Sequence, residues 1–77
     1  MNTTDERLLE LRSLLLYEKR IAFLNEFDKV TGIQRQNIQR IKNGEASFTA
    51  KQIEIICKTY DINANWVFGT QKNVFND

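Results

Sequence analysis

Proline is absent from this chain of 77 residues and glycine occurs only three times, so its folding pattern has few marked stops. Between those stops, apolar residues recur every three or four positions, the period of an amphipathic helix. Leu8, Leu11 and Leu15, with Leu14 beside them, form one such stripe. Thr3-Thr4-Asp5-Glu6 ahead of them is a capping-box pattern, which predicts a helix start near Asp5. Ile21, Leu24, Phe27 and Val30 carry a second stripe, predicting a helix over about Arg20 to Val30 that Thr31-Gly32 ends. Neither glycine nor proline separates these two stretches, and a break is placed near Tyr17 to Lys19. A third helix is expected from about Gln34 to Lys42, with Gly44 as the left-handed residue after its end. Thr49 then caps a fourth helix reaching about Tyr60, with Ile53, Ile56, Cys57 and Tyr60 facing inward. Asp61-Ile62-Asn63 is a break, and Asn63 caps a short fifth helix, "ANWVF". No stretch reads convincingly as a strand. The expected class is all-α, one compact five-helix domain over 1–77, with its central helix pair at about 20–44 and a C-terminal tail at about 70–77.

Composition removes several function classes. The longest early apolar run, Leu14-Leu15-Leu16, is far short of the roughly 20 residues of a membrane span. The start "MNTTDER" carries acids where a signal peptide needs a basic region, so the cytoplasm, at the nucleoid, is the expected place. Cys57 is the single cysteine, which excludes an internal disulfide or a cysteine-built metal site. Its helical spacing with Ile53, Ile56 and Tyr60 makes it a small buried hydrophobe. There is no histidine, no glycine-rich phosphate loop and no assembled nucleophile and base. Catalytic residues, metal, cofactor and small-molecule ligand are therefore all expected to be none.

The net charge of +1 hides an uneven distribution. Residues 1–28 sum to −2, residues 29–58 to +4 and residues 59–77 to −1. Within the basic segment lies "TGIQRQNIQRIKNG", Thr31 to Gly44, and no acid occurs from Lys29 through Lys42. On a helical wheel Ile38 and Ile41 mark the buried side. Gln36, Gln39, Arg40 and Asn43 fall opposite, and Arg35 projects from the first turn at the flank. An ordinary solvated face also holds Gln, Arg and Lys, but it usually mixes in Glu. Arginine can donate two bonds to guanine, and glutamine or asparagine can pair bidentately with adenine. Phosphates repel carboxylates, so a helix lying on double-stranded DNA has a reason to exclude them.

The order of elements sharpens this reading. A helix ending in Thr31-Gly32, a short turn and a second helix with Ile38 and Ile41 inside form a helix-turn-helix pattern. From Phe27 to Phe68 the chain resembles the lambda-repressor/Cro-type (XRE-type) family. The resemblance rests on Gly32 in the turn, Ile33 after it, "I-x-x-I-x-N-G" from Ile38 to Gly44, the capped helix from Thr49, and the closing "INANWVFG" of Ile62 to Gly69. Three features depart from the family. Asp28 stands where a small residue is usual at the helix crossing, so it must point aside or find a donor. Gln34 replaces the usual Ser or Thr cap. The stretch Leu14 to Phe23 is longer than the family's first linker and lacks its glycine.

The resemblance implies a third helix in the DNA major groove, with Arg35, Gln36 and Arg40 reading bases and Gln39 a further candidate. It implies phosphate contacts from Asn43 and Gln34. It also implies a homodimeric transcriptional regulator, such as a repressor, of the kind found in phages, plasmids and bacterial chromosomes. Trp66 is expected to close the core, whereas Val67, Phe68, Val74 and Phe75 outnumber the remaining inward positions and are the expected dimer interface. The rival function is a protein-interaction module of helix-turn-helix shape, for example a toxin–antitoxin partner, favoured by the low net charge and by Asp28.

Overall fold

The computed structural model describes residues 2–76, folded as α1 (Thr3–Tyr17), α2 (Leu24–Thr31), α3 (Arg35–Lys42), α4 (Ala50–Tyr60) and α5 (Ala64–Val67). The all-helical expectation holds. Among the described residues the only extended pairing is an isolated antiparallel bridge between Ile62 and Phe75.

α1 starts earlier than its capping-box pattern predicts. The Asn2 side chain accepts a hydrogen bond from the Asp5 N–H at 2.8 Å and so serves as the cap. Asp5 is freed for another task. It is only 2% exposed, and its carboxylate accepts from the Phe48 N–H at 3.0 Å, tying α1 to the loop ahead of α4. An acid expected at a solvated helix start is instead a buried tether.

The break between α1 and α2 begins where it was expected, after Tyr17, but runs on to Phe23, beyond the Tyr17–Lys19 expected, and its mechanism explains why no glycine marks it. Lys19 adopts φ 62°, and the Arg20 N–H reaches back to the Leu15 carbonyl at 2.9 Å. That is the closure usually supplied by glycine past a helix end. Asp61 does the same after α4 at φ 54°, with Ile62 N–H on the Cys57 carbonyl at 3.0 Å. Gly32 and Gly44 supply it after α2 and α3, at φ 74° and 76°. Their followers Ile33 and Glu45 donate to the Asp28 and Arg40 carbonyls at 3.0 and 2.8 Å.

α2 begins at Leu24 and not near Arg20. Ile21 is buried in the connector, its N–H on the Leu15 carbonyl, so the early part of the stripe faces the core without being helical. Val30, counted on the apolar stripe, is 39% exposed. The inward place belongs to Thr31, whose hydroxyl donates to the carbonyls of Phe27 and Asp28.

The core gathers Leu8, Leu11 and Leu15 from α1, Phe27 from α2, Ile38 and Ile41 from α3, Ile56 from α4, and Trp66 and Val67 from α5. Ile21, Ile33, Phe48 and Ile62 enter from the connections. On α4, Ile56 is fully buried while Ile53, Cys57 and Tyr60 are half-buried against it. Tyr60 stacks on Phe27 with ring centroids 6.2 Å apart. Burial pushes the Tyr60 hydroxyl pKa up, with help from the negative charge of Glu26, and burial alone raises that of the Cys57 thiol. The sequence placed Cys57 among the buried residues, and it is instead half-buried against the core. Thr49 and Asn63 cap α4 and α5 as expected, and Gln52 returns a bond to the Thr49 N–H to complete a capping box.

Residues 70–76 do not hang free. They fold back along the α4–α5 turn, with Asn63 N–H on the Val74 carbonyl at 2.8 Å and Asn76 N–H on the Asp61 carbonyl at 3.1 Å. The Asn63 amide also donates to Gln71 and to the Asn73 carbonyl. Val74 and Phe75 pack half-buried against the core, and the Arg20 guanidinium lies 3.8 Å from the Phe75 ring centroid. No helix among the described residues is long and apolar enough to cross a membrane.

Asp28, the acid at the helix crossing, finds its donor in Arg12. The guanidinium Nε and Nη2 each bond one carboxylate oxygen at 2.9 Å, with both side chains only 11–12% exposed. Such a bidentate pair is strong when whole and costly when halved.

Two outcomes test these contacts. Arg12→Ala leaves the Asp28 carboxylate buried without its donor and is expected to cost about 2–3 kcal/mol. Adding Asp28→Ala should recover part of that loss. A thermal-melt double-mutant cycle reads both, and a single variant that melts like wild type would show that the pair does not hold α1 to α2. Separately, Gly44→Val places a β-branched residue at φ 76° and should destabilise the domain by more than about 1 kcal/mol through backbone strain.

Candidate nucleic-acid interface

α3 is set in place by its apolar side. Ile38 and Ile41 are buried, and Ile33 from the preceding turn is buried beside them. With those three anchored, the remaining side chains have little choice of direction. Arg35, Gln36, Gln39, Arg40 and Asn43 are all exposed, as the helical wheel predicted, and so is Gln34 at the entry. All six residues assigned to base or phosphate therefore lie on the solvent side.

Gln34 takes the cap position in extended conformation, φ −78° and ψ 150°, but makes no side-chain cap bond. Its backbone carbonyl accepts from Asn37 and Ile38 at the start of the helix. Its side-chain oxygen is occupied elsewhere, accepting from Gln36 Nε2 at 3.1 Å. Toward the other end, Gln39 Nε2 donates to Asn43 Oδ1 at 3.3 Å. The amides on this face are coupled in pairs.

The cations are not. Among the described residues the ion pairs are Arg12–Asp28, Arg20–Glu18 and Lys58–Glu54, so Arg35, Arg40 and Lys42 take part in none. In an ordinary solvated helix such charges commonly meet a carboxylate three or four residues away. Within α3 the neighbours at those spacings are amides and Ile38, and Glu45, three positions after Lys42, lies beyond the helix and pairs with none of these cations. Asp28, which would have brought negative charge close by, is buried and neutralised by Arg12.

A cleft of about 530 Å³ opens between α3 and its neighbours, lined by Arg12, Leu24, Arg35, Gln36, Ile38, Gln39 and Lys42. It holds three cationic side chains and no carboxylate among its lining residues. Lys42 and Arg12 were not singled out from the sequence. For Lys42 a signal existed, since it lies seven positions after Arg35 and so on the same flank. For Arg12 none did, because only packing of α1 against α2 brings it there.

The four residues expected to pair two copies are separated by the fold. Val67 is 0% exposed and belongs to the core, so it offers no surface to a partner. Val74 and Phe75 are half-buried, and Phe68, 57% exposed, is the one of the four that stands clear in solvent. Trp66 closes the core as expected, with the Arg7 guanidinium 5.2 Å from its ring centroid.

No group of three or more His, Cys, Asp or Glu among the described residues is placed to hold a metal. The geometry offers an exposed helix face of amides and unpaired cations, anchored on a small core by Ile33, Ile38 and Ile41. Comparison with curated proteins and with solved structures returns no match. Comparison with protein-family models matches residues 11–64, from the middle of α1 to the first residue of α5, to the Cro/C1-type HTH DNA-binding domain. That span exceeds half of the 77 residues and contains the whole α2–turn–α3 unit with its acid-free face, and the chain accordingly belongs to the Cro/C1-type helix-turn-helix DNA-binding family.

Proposed function

We propose that the protein is a sequence-specific transcriptional regulator that binds operator DNA as a dimer, with α3 in the major groove. The observation that carries this reading is the exposed face of α3, which combines unpaired arginines and amides with a complete absence of carboxylate from Lys29 through Lys42. Arg35, Gln36 and Arg40 are its base readers, with Gln39 behind them, and Gln34 and Asn43 its phosphate contacts. The cleft cation Lys42 adds positive potential beside that face, whereas the charge of Arg12 is balanced by Asp28. The rival reading, a helix-turn-helix shape that binds a partner protein, drew on low net charge and on Asp28. Its second support is removed by the Arg12 pair, which takes Asp28 out of the surface field.

Dimerisation follows from the arithmetic of recognition. One helix covers too few base pairs to select a site in a genome, and a two-fold dimer presents two helices about 34 Å apart, one turn of DNA. With Val67 in the core, Phe68 becomes the leading pairing residue, flanked by Val74 and Phe75.

Retarded migration of random DNA at low salt, lost as salt rises, is the expected result for a phosphate-binding protein. On a site selected from a random pool, Arg40→Ala or Gln36→Ala should cost about 1–3 kcal/mol and relax the preference at one or two base positions. Equal losses on selected and random DNA would reassign the residue to phosphate, and no retardation at any salt would favour the protein-partner reading. For the dimer, Phe68→Asp places a charge on an already solvated position. It should keep helicity and melting temperature, sediment as a monomer, and bind the selected site much more weakly than wild type. A variant that still sediments as a dimer moves the interface away from Phe68, and a wild type that is monomeric both free and on DNA removes the dimer.

A further inference from the structure

α1 carries more apolar side chains than its place in the core uses. Leu8, Leu11 and Leu15 are fully buried, whereas Leu9 and Leu14 are half-buried and Leu16 is 37% exposed. Tyr17, the last residue of the helix, is 85% exposed. A helix covered on one side alone keeps its large apolar residues on that side. Glu6, Leu9, Glu10, Ser13 and Tyr17 recur at three- and four-residue steps, so they share the face turned away from the buried leucines.

A groove of about 480 Å³ opens along this face, lined by Glu10, Ser13, Leu14, Tyr17, Trp66 and Val74. It continues at both ends. Past Glu10 and Ser13 it is bordered by Glu6, Leu9 and Lys42, and past Leu14 and Val74 by Glu18, Arg20 and Lys72.

Two features of the groove fit a second copy of this chain. The first is charge. The end with Glu6, Glu10 and Lys42 is net acidic, and the end with Glu18, Arg20 and Lys72 is net basic. A two-fold axis across the middle of α1 runs two such helices antiparallel and sets each acidic end on the partner's basic end. A ligand of uniform charge would be repelled at one end or the other. The second feature is shape. Tyr17 projects beside the groove that it helps to line, a knob next to a hole. With the axis passing between Ser13 and Leu14, Tyr17 comes opposite the partner's Glu10, three positions to one side matching three to the other. Its ring then meets an apolar floor of Leu14, Trp66 and Val74, and its hydroxyl has a carboxylate to donate to. Ser13, at the axis, is small enough to let the two helices approach closely.

We propose that a second copy docks antiparallel on the outer face of α1, with Tyr17 of each copy seated in the groove of the other. The proposal rests on the dimer reading above and extends that interface from Val74 onto α1.

Sedimentation and crosslinking test it. Tyr17→Asp changes a solvated side chain, and should keep helicity while sedimenting as a monomer at concentrations where wild type is a dimer. In a Cys57→Ser background, Ser13→Cys should be joined to a covalent dimer by a short thiol-to-thiol crosslinker. Thr59→Cys, exposed on α4 outside the groove, should not be joined, and adding Tyr17→Asp to Ser13→Cys should abolish the joining. If Tyr17→Asp sediments as a dimer like wild type, or if Ser13→Cys is joined no faster than Thr59→Cys, the proposal falls. The dimer reading then stands with its interface at Phe68. If wild type is monomeric both free and on DNA, the dimer reading fails and takes this proposal with it.

Discussion

The bidentate pair between Arg12 and Asp28 is the contact on which the placement of the helix-turn-helix unit depends. It joins α1 to α2 where these helices pack together, between residues 16 positions apart in the chain. A carboxylate there is tolerable only because two charge-assisted hydrogen bonds satisfy it in a largely dry position. The consequence reaches the surface. An unpaired Asp28 would stand close to the basic face and oppose an approaching phosphate, and the paired Asp28 does not. The same contact thus supports the packing of the domain and the electrostatic character of α3.

Around that crossing, the fold is stitched by polar groups that bring distant segments together. Asp5 holds the loop ahead of α4 through the Phe48 N–H, and Asn63 and Asp61 hold residues 71–76 through their amide and carbonyl groups. Among the described residues no buried side-chain nitrogen or oxygen lacks a hydrogen-bond partner. A domain of this size has little core to spare, and an unsatisfied buried polar group would offset much of what one large apolar side chain contributes. The tethers also decide what remains available outside. By drawing 70–76 onto the α4–α5 turn they cover part of Val74 and Phe75 and leave Phe68 in solvent.

Much of this was legible in the sequence because it depends on local chemistry. The apolar period located α3, α4 and most of α1. Gly32 and Gly44 marked two helix ends by the backbone conformation they permit, and Thr49 and Asn63 marked two starts by the oxygen they offer to a helix N–H. The exposed positions of α3 followed from where Ile38 and Ile41 point. Where the local signal was ambiguous, reading stopped short. Lys19 and Asp61 take the left-handed conformation that glycine usually takes, so nothing in their identity announces a helix end. Thr3-Thr4 and Asn2 are all competent caps, and Asn2 serves because the buried bond of Asp5 to Phe48 is formed as well.

The sequence by itself determined that the chain is helical, that its third helix turns a carboxylate-free face outward, and which family it belongs to. Each of these is set by periodicity, residue type or short-range order along the chain. Tertiary structure alone decided that Arg12 neutralises Asp28 across 16 positions, that Asp5 is a tether and not a solvated helix-end acid, and that Arg12 and Lys42 share a cleft with Arg35. It also decided that Val67 is core while Phe68 is surface. These are contacts between residues far apart in the chain, or choices between adjacent apolar residues. A stretch as short as α5 has too few turns for its own pattern to select an inward face. That selection is made by the helices against which it packs.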